Sequence, residues 1–176
     1  MLSNATEPTT KVRYDLAKAL DCDESLVVAF ERVAGTFPSR IAVNSDGLEA
    51  TYRELNETAN RLAHHLADDG SEFERRAAIL MSSGAPMVAA ALGVLKAGQT
   101  VVPLDPGDPL PRLRMLAADA ELAFIITDAQ NRSIATALIG ADCRILDFEA
   151  ATTTGSVENP CISISPGRWK RQAGRR

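Results

Sequence analysis

The sequence predicts an α/β fold, a mostly parallel sheet with helices on both faces, preceded by a helix and a short β-hairpin. Three observations predict it. Between residues 77 and 148, short apolar runs of strand length alternate with stretches of helical period. Ahead of them, two short runs flank Asp46-Gly47, a dipeptide whose tolerance of positive φ suits a tight hairpin turn. Sustained periodicity is confined to the middle of the chain. Residues 1–23 therefore read as a polar leader, 24–150 as the folded body, and 151–176 as a linker with a basic tail.

The elements follow in order. From Ser25, Leu26, Phe30, Val33, Ala34 and Phe37 recur at helical spacing until Pro38 marks a stop. Ile41–Ser45 and Leu48–Tyr52 are the arms of the hairpin. Thr51 and Glu54 form a capping-box pattern, in which each side chain satisfies a backbone N–H at a helix start. Leu55, Ala59, Leu62 and Leu66 then lie on one helical face until Gly70. Ala77–Met81 reads as a buried strand, Pro86–Ala97 as an apolar helix stopped by Gly98, and Thr100–Leu104 as a second strand. Pro109–Ala118, Leu122–Thr127, Ala129–Ile139 and Cys143–Phe148 continue helix, strand, helix, strand. Four strands joined by three helical crossovers imply a parallel sheet with right-handed connections. Thr152–Asn159 reads as a polar linker, and the alternation Cys161-Ile162-Ser163-Ile164-Ser165 as the start of another strand.

Composition bounds the function. A chain of 176 residues with 45% apolar and 24% charged residues is an ordinary globular protein of one domain. No run approaches the ~18 apolar residues of a membrane helix, and Met1–Leu20 is too broken by polar residues for a signal-peptide core. A cytoplasmic protein is expected. The odd, widely spaced Cys22, Cys143 and Cys161 read as reduced thiols and not as a metal site. Of the 19 basic residues, five lie in residues 161–176, where no acidic residue occurs. That leaves 14 basic against 23 acidic groups in residues 1–160, a charge of −9. Such an acidic body argues against nucleic acid as a partner.

Local candidates for chemistry are few. Ser82-Ser83-Gly84-Ala85-Pro86 joins a strand to a helix and could offer N–H groups to an anion. It carries one glycine and no following lysine, which fits a plain βα turn better. His64 and His65 share a helix with no ligand partner at metal spacing, one expected to face solvent and the other to lie beside the packed stripe. Asp105 and Asp108 bracket a Pro-Gly turn and read as turn residues. No nucleophile, base and orienter assemble from these residues, so catalytic, cofactor-binding and metal residues are all expected to be none in this chain.

A resemblance is more informative. Phe30-Glu31 with Pro38–Val43, Thr51-Tyr52-Arg53-Glu54-Leu55-Asn56 and Ala59–Leu66 resemble the N-terminal stretch of nonribosomal-peptide-synthetase adenylation domains, members of the AMP-dependent synthetase/ligase (adenylate-forming) superfamily. Leu95-Lys96-Ala97-Gly98 through Val102-Pro103-Leu104-Asp105-Pro106 resembles their second core motif, with Val102 where tyrosine is common. The similarity runs from about Leu26 to about Phe148 and implies the first subdomain of that fold, incomplete. Within it Leu95 is expected to cap a buried helix face and Val101-Val102-Pro103 to be a core strand. Complete relatives couple an amino acid to ATP with Mg²⁺ and pass it to a phosphopantetheinyl carrier protein.

In those relatives ATP phosphates are held by a Ser/Thr/Gly-rich loop ending in lysine, which is expected after a strand like Cys161–Ser165. Here the chain reads Pro166-Gly167-Arg168-Trp169-Lys170-Arg171. A frame starting at the third base of the Ser165 codon permits Thr-Gly-Ser-x-Glu-Lys-Pro-x-Gly, close to the family loop. The expectation is a frameshifted or truncated remnant, inactive by itself, with an aberrant tail. The alternative is a non-catalytic module that complements a separately encoded remainder. A small nucleotide- or nucleic-acid-binding α/β protein ranks below both. Uncovered surface on an isolated piece predicts self-association.

Overall fold

Ser25 accepts a hydrogen bond from the Val28 N–H and so starts helix α1, Leu26–Thr36. In this computed structural model residues 25–45, 47–67, 75–140 and 143–160 are described. The polar leader, Asp46, Gly70, the Cys161–Ser165 run and the basic tail lie outside them. The buried stripe of α1 is Val27, Ala29 and Ala34 with Phe30 packed against the core, one position off the expected phase, and Leu26 is 66% exposed. Only one flank of the helix is covered, and the first apolar residue projects into solvent.

Strands β1, Ile41–Ser45, and β2, Leu48–Thr51, pair antiparallel with Ser45 opposite Leu48. Gly47 takes a φ of +80°, the left-handed conformation that a two-residue turn demands. Helix α2, Tyr52–Ala67, follows at once. The capping box forms as the sequence predicts: the Thr51 N–H donates to Glu54 Oε2 at 2.8 Å and the Glu54 N–H to Thr51 Oγ1 at 3.3 Å.

The parallel sheet comprises β3 (Arg76–Leu80), β4 (Thr100–Pro103), β5 (Phe124–Thr127) and β6 (Arg144–Asp147) in the order β4-β3-β5-β6. Its crossovers are α3 (Ala85–Lys96), α4 (Leu110–Asp119) and α5 (Arg132–Leu138), and α6 (Phe148–Thr153) follows β6. Alternation along the central strands divides the core. Ala77 and Ile79 of β3 with Phe124 and Ile126 of β5 face α2, α3 and α6, whereas Ala78, Leu80 and Ile125 face α4 and α5. The step from β3 to β4 runs in the opposite direction from the later two, and its helix lies on the opposite face. A reversal of both keeps one crossover hand throughout.

Helices α2 and α3 approach closely because their contact is built from small residues, Ala59 and Ala63 against Ala89, Ala90 and Gly93. A Cβ on Gly93 would lie 2.9 Å from Leu62 Cβ and 3.0 Å from the Ala59 carbonyl oxygen. Helix α3 ends where Gly98, at φ +69°, donates to the Leu95 carbonyl and the Gln99 N–H to that of Val94.

Four expectations are corrected. Residues 129–131 are a turn and α5 starts only at Arg132, because the Asp128 carboxylate accepts the Asn131 N–H at 2.8 Å. The last strand stops at Asp147, whose side chain caps α6 through the Ala150 N–H. Thr152–Asn159 is not a bare linker: it opens with the end of α6, and the residues beyond lie hydrogen-bonded along α2. In the second motif Lys96 is the buried residue while Leu95 is half-buried, and β4 is a half-buried edge strand that pairs with β3 alone among the described residues.

Candidate functional site

In an open α/β sheet the crevice outside the carboxyl ends of the strands, where the connections diverge, is the place to look for chemistry. Here the divergence falls between β3 and β5. Thr127 Oγ1 donates to the Leu80 carbonyl at 2.8 Å and fastens the two strand ends together. Beyond them the Ser82 N–H points to Asp128 Oδ2 at 3.4 Å, so the turn that could face an anion already has a carboxylate beside it. Gly84 is the N-cap of α3 without a side-chain hydrogen bond, and Pro86 removes a donor from the first turn. The plain βα turn is what the structure contains.

The carboxylates of this end each have a structural partner. Asp105 Oδ1 accepts the Gly107 N–H at 2.8 Å and the Asp108 N–H reaches the Asp105 carbonyl at 3.0 Å, a turn closed by its own side chain. Asp108 lies 3.5 Å from Arg112, and Asp147 lies 3.1 Å from Arg132 while capping α6. Asp128 holds both the backbone and the side chain of Asn131. No group of three or more His, Cys, Asp or Glu side chains that could hold a metal ion lies among the described residues. ATP with Mg²⁺ needs cations and N–H donors aimed at phosphate oxygens. These loops present four aspartates, and their arginines Arg112 and Arg132 are each paired with one of them, Asp108 and Asp147.

The two histidines separate as expected. His65 is exposed, whereas His64 is half-buried with Nε2 3.0 Å from the Glu158 carbonyl oxygen. Burial pushes the Cys143 thiol up, away from thiolate reactivity. A polar cluster that the sequence reading missed lies beside His64, where α2 meets residues 157–159. Lys96, 1% exposed, forms an ion pair with Glu31 of α1, and Asn60, fully buried, donates to the Val157 carbonyl at 2.6 Å and to Asn159 Oδ1 at 2.9 Å. Desolvation pushes the Lys96 ammonium down from the ordinary lysine value, against the opposing pull of Glu31. The signals were present as a lysine inside an apolar helical run and an asparagine between Ala59 and Leu62.

The sequence model of the AMP-binding enzyme family matches residues 30–165. The chain belongs to that family. Among curated relatives it is 31% identical over 154 residues to surfactin synthase subunit 2 of Bacillus subtilis (strain 168), covering 88% of this chain and 4% of that protein. It is 38% identical over 136 residues to N-(5-amino-5-carboxypentanoyl)-L-cysteinyl-D-valine synthase of Amycolatopsis lactamdurans, covering 74% and 4%. Among solved structures it is similar to the AMPPNP-bound form of the nonribosomal peptide synthetase FmoA3, with TM-score 0.69 and 25% identity over 85% of this chain and 16% of that one. This member of the AMP-binding family thus corresponds to an N-terminal part of a nonribosomal-peptide-synthetase adenylation domain, and it spans about 4% of the length of those curated relatives.

Proposed function

We propose that this chain supplies the N-terminal scaffold of an ATP-dependent, amino-acid-activating ligase of nonribosomal peptide synthesis and performs no adenylation by itself. The observation that carries the reading is the commitment of Asp105, Asp108, Asp128 and Asp147 to turns, caps and ion pairs at the carboxyl end of the sheet. Carboxylates spent on holding loops are not free to ligate Mg²⁺ or to move protons. The resemblance implies that ATP, Mg²⁺ and a carrier protein belong to the complete domain, whose residues beyond this scaffold would hold them.

Equilibrium dialysis of the purified chain against Mg²⁺ and labelled ATP tests the reading. No retention above a buffer control at micromolar protein is expected, and saturable retention would contradict it.

One observation favours the second reading, a module that docks onto a separately encoded remainder. Helices cover both faces of the parallel sheet, and each face has its own apolar core. Among the described residues the outer edges of β4 and of β6 are each paired on one side only, and Leu26, Leu48 and Met115 are exposed. Such edges invite a further strand. The remainder expressed as a second polypeptide would then copurify with this chain, and without it sedimentation velocity would show self-association.

A further inference from the structure

Three donors converge on one side-chain oxygen near residue 160. Asn56 Nδ2 lies 3.0 Å, Asn60 Nδ2 2.9 Å and Lys96 Nζ 3.4 Å from Asn159 Oδ1. The same lysine is held from the opposite side by Glu31 of α1, and Asn60 also donates to the Val157 carbonyl. Four stretches of chain thus meet at one point: α1, α2, α3 and the segment after α6.

The amide orientations are informative. Presenting Nδ2 to Asn159 leaves the carbonyl oxygens Asn56 Oδ1 and Asn60 Oδ1 buried with no hydrogen-bond partner among the described residues. Flipping either amide would place an oxygen against the Asn159 oxygen. Two buried acceptors are therefore left unsatisfied so that three donors share one acceptor. Among the described residues, no hydrogen bond donated by the Asn159 side chain accompanies the three that it accepts.

We propose that Asn159 and Lys96 form a polar latch in which Asn159 acts purely as an acceptor, fastening the segment 155–160 to α2 and α3 and coupling it to α1 through the shared ammonium. The location gives the latch a positioning role. The family match extends to residue 165, so Asn159 fixes the place of the last described part of the matched chain. Neighbouring contacts align the same segment: the Glu158 carbonyl meets His64, and a Cβ on Gly155 would lie 3.8 Å from the Arg61 carbonyl oxygen.

Hydrogen exchange by mass spectrometry on the full chain separates the latch from ordinary packing. Asn159→Leu removes the acceptor and should speed exchange in 155–160 and also in α1 by roughly tenfold, the size expected for hydrogen bonds to a charged group. Exchange in β3 and β5 should stay unchanged. Asn159→Asp keeps an acceptor in place and should leave both regions within about threefold of the parent, since a carboxylate accepts the same donors. Acceleration in 155–160 with α1 unchanged would overturn the coupling. Equal acceleration by Asp and Leu would overturn the acceptor role. Should Asn159→Leu fail to fold, Asn159→Ser shortens the acceptor out of reach and is expected to give the same two-region pattern.

Discussion

The two faces of the parallel sheet are built on different principles. On the α4 and α5 side, Leu80, Leu104, Leu113, Leu122, Ile125 and Leu138 interdigitate in a plain apolar layer. On the α2, α3 and α6 side there is also an apolar layer, of Leu55, Leu62, Ile79, Phe124 and Ile126, but Gly93 of α3 sits directly against Leu62 and Ala59 of α2, and the outer margin is closed by the ion pair of Lys96 with Glu31 and by the asparagines around Asn159. Apolar packing tolerates small changes of shape with graded loss, whereas close backbone contact and a buried charge tolerate little. The first motif lies on the second face, while the second motif starts there at Leu95-Lys96 and crosses to the first at Val102 and Leu104.

The largest contrast is expected at the ion pair. Glu31→Leu leaves the Lys96 ammonium buried without a carboxylate and should cost about 3 kcal/mol, while the double variant Lys96→Met with Glu31→Leu should fall within about 1 kcal/mol of the parent. Urea unfolding followed by circular dichroism measures both. A double variant as unstable as the single one would show that packing, not charge, sets the loss. Next comes the size of side chains. Gly93→Ala forces a methyl into Leu62 and the Ala59 carbonyl and should cost about 1–3 kcal/mol. On the opposite face the harmful change is a deletion, and Leu113→Ala should cost about 2–4 kcal/mol by leaving a cavity. If Gly93→Ala were neutral, the claim of close helix contact would fail.

Legibility in the sequence followed the same division. The hairpin at Gly47, the capping box of Thr51 and Glu54, and the strand-helix alternation that builds the parallel sheet were readable because each is local or periodic. The phase of α1, the turn at 129–131 and the seating of 156–159 on α2 were not. Each depends on partners distant in sequence: Asn60 meets Val157, and Lys96 meets Glu31 and Asn159. The motif resemblance placed Leu95 on the buried face, yet Lys96 lies there because Glu31 and Asn159 meet its charge. Residue types led to the expectation of no catalytic set, and the geometry shows what the candidates Asp105, Asp128 and His64 bond to.

Smaller effects are expected from titration. Glu54 is held below the ordinary glutamate value, first by the Thr51 N–H and then by the Thr51 hydroxyl. A depressed carboxyl contributes stability that is fully present above the unfolded value and is lost as pH falls through the folded one. The melting-temperature gap between the parent and Glu54→Gln should therefore be constant at neutral pH and close on the acid side of the ordinary glutamate range. Lys96, also depressed, obeys the same sign on the alkaline side. The folded state releases that proton first, so stability from this group rises with pH up to the ordinary lysine value. Cys143, raised by burial, works the other way, since its unfolded thiol ionises first and favours unfolding as pH rises. Alkaline melts of Lys96→Met and Cys143→Ala should then deviate from the parent in opposite directions.

The central claim is that this chain is scaffold and not catalyst, and the direct measurement is amino-acid-dependent exchange of labelled pyrophosphate into ATP by the purified chain. With Mg²⁺ and each common amino acid in turn, the account predicts exchange no greater than in a no-protein control. Exchange above that control with any one amino acid would contradict it, and would mean that residues assigned here to turns, caps and ion pairs take part in the reaction.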